Sequence, residues 1–372
     1  MAGSQEAFDR LRLIRSENIG PVTYRHLIRR FGSAARALKA IPDLAARGGG
    51  RSPRIADAGQ VETEMERIHT LDARLLFFGD RGYPALLADL GNAPPLLLGL
   101  GRLELLQRPM VAMVGARNAS AAACRFAYKL ANNLAEAGIS VVSGLAKGID
   151  TAAHQGSLGS GTIAVIAGGL DIFYPPENEH IQRAIAERGL LLAEQPPGTE
   201  PRARHFPYRN RIIAGLARGT VVIEAAPRSG SLITARLAAE AGRQVMAVPG
   251  SPLDPRSRGC NMLIREGATL VQSVDDILEL ICHFDDRAEN AHCSDESKAD
   301  GDSSIIAETG TPATDRSERA QVLELLSITP VPVDELVRQS DLSPSVVQLA
   351  LLELELAGRL ARHAGARVSL AE

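Results

Sequence analysis

Six short apolar runs recur through the middle of this chain: MVAMVG (110–115), ISVVSG (139–144), TIAVIAG (162–168), LLLAE (190–194), TVVIEA (220–225) and QVMAVPG (244–250). They are almost continuously apolar and rich in β-branched residues. A strand exposed on one face alternates apolar and polar positions; these do not, so both faces must be covered. Each run is separated from the next by about 25 residues, enough for a helix and two turns, as in βαβ units. The pattern predicts a parallel sheet with helices on both faces, an extended Rossmann-like α/β core.

The flanks read differently. Residues 6–80 predict helix, with Leu11, Ile14, Tyr24, Leu27, Ile28, Phe31 and Leu38 at helical spacings. NIGPVTYRHLIRRFGS carries a Gly-Pro break between two helical runs, as in half of a helix-hairpin-helix or SAM-like unit. RGYPALLADLGNAPPLLLGLGRLELLQR (82–109) reads as a Pro/Gly-broken lead-in. FDDRAENAHCSDESKADGDSSIIAETGTPATDRS (284–317) is polar and acidic, too poor in apolar side chains to offset the cost of ordering. The remainder, 318–372, predicts three helices and a short strand pair, a winged-helix pattern. The expected domains are therefore 1–81 (helical), 82–283 (α/β), 284–317 (disordered linker) and 318–372 (winged helix).

Composition excludes several classes. Four cysteines, Cys124, Cys260, Cys282 and Cys293, stand far apart without a CxxC pair, which argues against a disulfide framework and a zinc site. The N-terminal residues lack the apolar core of a signal peptide, and no apolar run is long enough for a membrane span. The expectation is a reduced cytoplasmic protein without a membrane partner. The formal net charge is −3, but unevenly spread. Residues 1–81 hold 14 Lys+Arg against 10 Asp+Glu, and residues 284–372 hold 8 against 17. A polyanion should accordingly meet the first two thirds of the chain.

The chemistry-bearing residues lie in the loops. VGARNAS (114–120) turns at Gly115 into a helix expected near Ala119, with Arg117 and Asn118 in the turn; backbone N–H groups at such a helix end attract anions. The same residues also suit an ordinary turn, and the G-x-G-x-x-G dinucleotide fingerprint is missing. SGLAKGIDTAAH (143–154) repeats the arrangement with Ser143, Gly144 and Lys147, and Asp150 is placed to cap a helix beginning at Thr151. His154 is more simply a structural histidine than a catalytic one. In GGLDIFYPPEN, Asp171 and Glu177 suit turn chemistry and capping better than an acid/base pair. PRARHFPYRNRIIAGLAR (201–218) holds Arg202, Arg204, Arg209, Arg211 and Arg218 with no acidic residue. With Pro207 expected in the first turn, Arg209, Asn210 and Arg211 are expected there too, as a phosphate track. Phe206 and Tyr208 can stack on bases or belong to the core. PRSGSLITARLA and SRGCNMLIREGA add two further polar turns. Nearly all these loops follow the carboxyl ends of expected strands, where open α/β sheets bind ligands.

In this order, VGARNAS, SGLAKGIDTAAH, GGLDIFYPPEN, FPYRNRIIAGL, SGSLITARLA and GCNMLIREGA resemble the DNA-processing protein A (DprA, or Smf) family, over about residues 82–283. The flanking modules resemble the family's three-domain proteobacterial layout. The resemblance implies a homodimer formed through the Rossmann-like domain. It also implies a protein that binds and protects single-stranded DNA and loads the RecA recombinase in natural transformation, without enzymatic activity, cofactor or metal. It assigns the phosphate grip to Arg117 and the binding pocket to Ser143, Gly144, Lys147, Asn210 and Arg211, with Gly115, Asn118 and Arg209 also in the DNA-binding set. The competing function is a nucleotide-binding protein or a phosphoribohydrolase-type enzyme; RSGSLITA lacks the Pro-Gly-Gly loop of such enzymes, and Glu224 and Glu240 match no motif of theirs. In the winged helix, SPSVVQLALLELELAG offers Gln348 but also Glu353 and Glu355, and no basic residue before Arg359. A major-groove reader needs Arg, Lys, Asn or Gln toward base edges, so partner docking or a structural role is expected instead.

Overall fold

The structure is a computed structural model that describes residues 2–281, 316–363 and 365–371. The expected linker, 284–317, lies almost wholly outside the described residues. The chain divides into two compact units, Glu66–Ser303 and a unit joining Met1–Met65 with Ser304–Glu372.

The first of these units is built on a nine-stranded sheet. Its strands are β1 (Arg74–Phe77), β2 (Leu96–Gly101), β3 (Met110–Gly115), β4 (Ser140–Ser143), β5 (Thr162–Ile166), β6 (Leu190–Ala193), β7 (Gly219–Ile223), β8 (Gln244–Ala247) and β9 (Thr269–Leu270). The spatial order is β1-β2-β6-β5-β4-β3-β7-β8-β9. All six expected strands form, and β6 through β9 in that order are parallel. Alternation is present but both faces are buried: Ala112, Val114, Val142 and Val222 enter one core, and Val111, Met113, Val141, Val221 and Ile223 the other.

Three strands of this sheet lie outside the six expected runs: β9, which pairs parallel with β8, and two at the opposite edge. β1 lies in the segment read as helix and β2 in the lead-in, and both pair antiparallel, β2 on β6 and β1 on β2. The apolar RLLF is too short to show a period. It is set off by two turns: Asp72 holds a positive φ of 53° and Gly79 one of 88°. The sheet is thus mostly parallel, with an antiparallel extension at one edge.

The chain reverses direction of growth beside β3: β4, β5 and β6 lie on one side of it, β7 and β8 on the other. This is the topological switch point of a doubly wound sheet.

The second unit contains the helices Ala2–Ile14, Pro21–Phe31 and Ala34–Arg47, then the winged helix. The latter comprises helices Arg316–Glu324, Val333–Ser340 and Pro344–Leu356 with strands β10 (Val331–Pro332), β11 (Leu360–His363) and β12 (Arg367–Leu370). Among the described residues no helix is long and apolar enough to cross a membrane.

Candidate nucleic-acid interface

A cleft opens above the carboxyl ends of β4 and β5. Its polar wall is Arg117, from the loop after β3, and Lys147, from the loop after β4. Its aromatic wall is Tyr174 and Phe206, with ring centroids 5.8 Å apart and planes inclined at 55°. The exposed Arg117 guanidinium lies 5.5 Å from the Phe206 ring centre, and that of Arg209 lies 5.9 Å from it. Both distances are within cation–π range. Ile166, Ile172 and Pro175 supply apolar surface.

The floor is held by a buried network. Leu145 sits at a positive φ of 57°, a costly conformation for a branched residue that the surroundings must enforce. Its N–H donates to His154 Nε2 at 3.3 Å, so Nδ1 carries the ring proton and donates to Thr162 Oγ1 at 2.7 Å. His154 is fully buried; burial, then the charge of Arg209, lowers its pKa to about 3, so it is a neutral strut, as the sequence reading favoured. The N–H groups of Gly144 and Ala146 donate to Asp150 Oδ2 at 3.1 and 3.3 Å. Asp150 is therefore not the N-cap expected: the helix is Ile149–Ser157 with Gly148 at its cap, and the carboxylate folds back to satisfy the loop. Burial raises the Asp150 pKa, opposed by Arg209 and by these hydrogen bonds. Ser143 Oγ donates to Met113 O at 2.6 Å and is fully buried, which ties β4 to β3.

The structure separates the arginines that the sequence grouped. The helix runs from His205 to Leu216, so Arg209, Asn210 and Arg211 lie in its second turn rather than its first, and all three are buried. Arg209 Nη1 donates to Gly144 O at 2.5 Å and Val165 O at 3.1 Å. Burial lowers its pKa to about 10, which still leaves it charged at neutral pH. Arg211 donates to Glu194 Oε1 at 2.5 Å and Asn92 O at 2.8 Å. Asn210 Nδ2 reaches Gly230 O at 3.4 Å. Only Arg209 of this trio lines the cleft. The exposed arginines of this segment are Arg202 and Arg204, and Tyr208 is 61% exposed.

Of the remaining expected residues, Asn118 is exposed. Gly115 is packed so closely that a Cβ would lie 2.0 Å from Ile223 O. Lys147 is exposed and paired with Glu177 at 2.5 Å, and Asp171 accepts from Gly198 N at 2.7 Å; neither carboxylate is poised as an acid or base.

Two residues have roles that sequence reasoning did not give them. Tyr174 sat in a motif read only as a turn. Glu224 follows β7 at the switch point with a positive φ of 48°. Its carboxylate accepts from Ser120 N at 2.8 Å and Ser120 Oγ at 2.6 Å. Ser120 caps the helix Ala121–Glu136, two residues later than expected. The helix end read as a phosphate site thus already holds an anion of the chain itself. Among the described residues no group of three His, Cys, Asp or Glu is placed to hold a metal ion.

The family model described as DNA recombination-mediator protein A matches residues 74–282. A DprA-like N-terminal HHH domain matches residues 4–66, and a DprA winged helix domain residues 307–366. DNA processing protein DprA of Streptococcus pneumoniae is 52% identical over 201 residues, 54% of this chain and 71% of that protein. Protein Smf of Synechocystis is 32% identical over 99% of both chains. The X-ray structure of the Streptococcus pneumoniae DprA matches with a TM-score of 0.65 at 40% identity, over 73% of this chain and 95% of that one. A Helicobacter pylori DprA structure described by its single-stranded DNA binding mode matches with a TM-score of 0.53 at 28% identity, over 57% and 96%. With all three of its domains matched, the chain belongs to the DprA/Smf family of DNA-processing recombination mediators.

Proposed function

We propose that this protein binds single-stranded DNA in the cleft above β4 and β5, protects it, and delivers it to the RecA recombinase during homologous recombination and natural transformation. It does so as a cytoplasmic homodimer formed through the Rossmann-like domain. The observation that carries the reading is the exposed Arg117 beside the Phe206–Tyr174 pair. It sets a forked cation next to an aromatic platform at the carboxyl ends of the strands. A phosphate can engage Arg117 while an unstacked base meets the rings. Lys147 joins by exchanging Glu177 for a phosphate. A duplex offers phosphates but keeps its bases paired and stacked, so it gains only part of the contact. The Helicobacter pylori relative's single-stranded DNA binding supports the same assignment.

A nucleotide-processing enzyme is less well supported. The switch-point carboxylate, Glu224, is engaged with Ser120. The cleft itself is lined by cations and aromatics.

The test is fluorescence anisotropy of labelled oligo-dT and the matching duplex across a salt series. Single strands should bind tighter, with a log–log slope near −3 if roughly four or five phosphates are neutralised. Phe206→Ala should weaken single-strand binding about tenfold, within the range for loss of one stacked base, and leave the salt slope unchanged. Equal affinity for duplex, or no effect of Phe206→Ala, would rule the stacking mode out.

A further inference from the structure

The third helix of the winged helix, Pro344–Leu356, is buried on two sides by two different cores. Val347, Ala350, Leu351 and Leu354 face the winged helix's own core, with Val322, Leu336, Leu360 and Val368. Leu349, Leu352 and Leu356 face the core of the N-terminal helices, with Tyr24, Leu38 and Ile41 among their partners. The two stripes follow the i, i+3, i+7 spacing of opposite helix faces. A winged helix that reads a duplex keeps the outer face of this helix free and polar. Here that face is apolar and occupied.

The contact is backbone-close and specific. A Cβ on Gly48 would lie 2.1 Å from Glu353 O, and one on Gly50 2.1 Å from Ala357 O. Gly48 and Gly50 are therefore required by the approach of the third helix's end. Gly48 itself has φ −63°, open to any residue, so the restriction comes from the neighbour and not from its own backbone. Asn18 Nδ2 donates to Leu356 O at 3.4 Å and Arg359 Nη1 to Gly48 O at 3.2 Å. Glu353 is fully buried between the two sides, 2.8 Å from Arg319 of the winged helix and 3.9 Å from Arg47 of the N-terminal module. A carboxylate taken out of water needs such partners, and its cationic partners come from both modules.

We infer that the outer face of helix Pro344–Leu356 is a docking surface whose partner is the N-terminal helical module of the same chain. The two terminal domains work as one body, and the winged helix does not place this helix in a DNA groove.

The experiment uses the full chain with a protease site inserted near residue 300. After cleavage, the C-terminal piece should co-elute with the rest of the protein in size-exclusion chromatography at low micromolar concentration and high salt. Leu352→Glu places a charge in the shared core without touching the winged helix's own, and should weaken the association about 100-fold or more. Gly48→Ala should weaken it about tenfold through overpacking; in an undocked module the same change would be neutral or stabilising. Separation of the wild-type pieces, or co-elution of both variants with wild-type affinity, would overturn the inference.

Discussion

At the scale of single residues, the site depends on groups whose charge or size is set by what surrounds them. Arg209 shows this most clearly. It lies three residues before Ile212 and seven before Leu216, on the buried stripe of its own helix, so its guanidinium turns inward to Gly144 O and Val165 O. The Cβ of an alanine at 144 would fall 1.6 Å from Arg209 Nη1. Gly144→Ala should cost about 2 kcal/mol in urea unfolding, an overpacking penalty, and displace the Leu145–Lys147 turn from the cleft; an unchanged midpoint would show that Arg209 can move aside. His154 gives the pH dependence. Its folded pKa, about 3, is below the ordinary value of 6.5. As pH falls through 6.5 the unfolded chain takes up a proton that the folded chain refuses. The stability is therefore complete above about pH 6.5 and declines between there and pH 3, by up to about 1.4 kcal/mol per pH unit from this group. Urea midpoints from pH 7.5 to 4 should fall less steeply for His154→Gln than for wild type. Part of the slope should persist through His26, lowered to about 4 by burial and nearby arginines. Parallel curves would mean that His154 titrates normally.

At the scale of elements, several loops are fixed by a side chain that satisfies neighbouring backbone groups. Glu224 is the example with the clearest consequence. A carboxylate at a helix N-terminus and on its capping serine favours the helix through both hydrogen bonding and the dipole. Glu224→Ala should lower stability by about 1 kcal/mol, read as a shift in the urea midpoint; no shift would mean that water replaces the carboxylate without loss. Six of the seven parallel strands were legible because burial on both faces leaves unbroken apolar runs; β9, only two residues long, was not. β1 and β2 were not, because RLLF is too short to show a period and LLLGLG sits among prolines and glycines. For the helix Pro344–Leu356 the sequence showed the acidic residues but not what packs against Leu349, Leu352 and Leu356, since Tyr24, Leu38 and Ile41 lie about 300 residues away in the chain. In the cleft, Arg117, Lys147 and Phe206 were recoverable from strand-end position and residue type. Arg211 was not, because a count of charges does not show that Glu194 and Asn92 take up its hydrogen bonds. Tyr174 and Glu224 carried no signal beyond lying in strand-end loops.

At the scale of the whole molecule, charge and topology assign different tasks to different parts. The cleft opens at the strand carboxyl ends of the central sheet, beside a switch point that Glu224 already fills. The acidic excess gathers in the last quarter of the sequence, away from the segment that supplies the cleft's cations. A net charge of −3 therefore does not oppose polyanion binding, because the field that a phosphate meets is local. The most direct measurement is the affinity of wild type and Arg117→Glu for labelled oligo-dT across a salt series. Arg117 is exposed and outside the core, so the change should leave folding intact. Charge reversal should reduce affinity at least a hundredfold and make the salt slope shallower by about 0.7, the loss of one phosphate contact on a single strand. Unchanged affinity and slope would contradict the assignment of the DNA to this cleft.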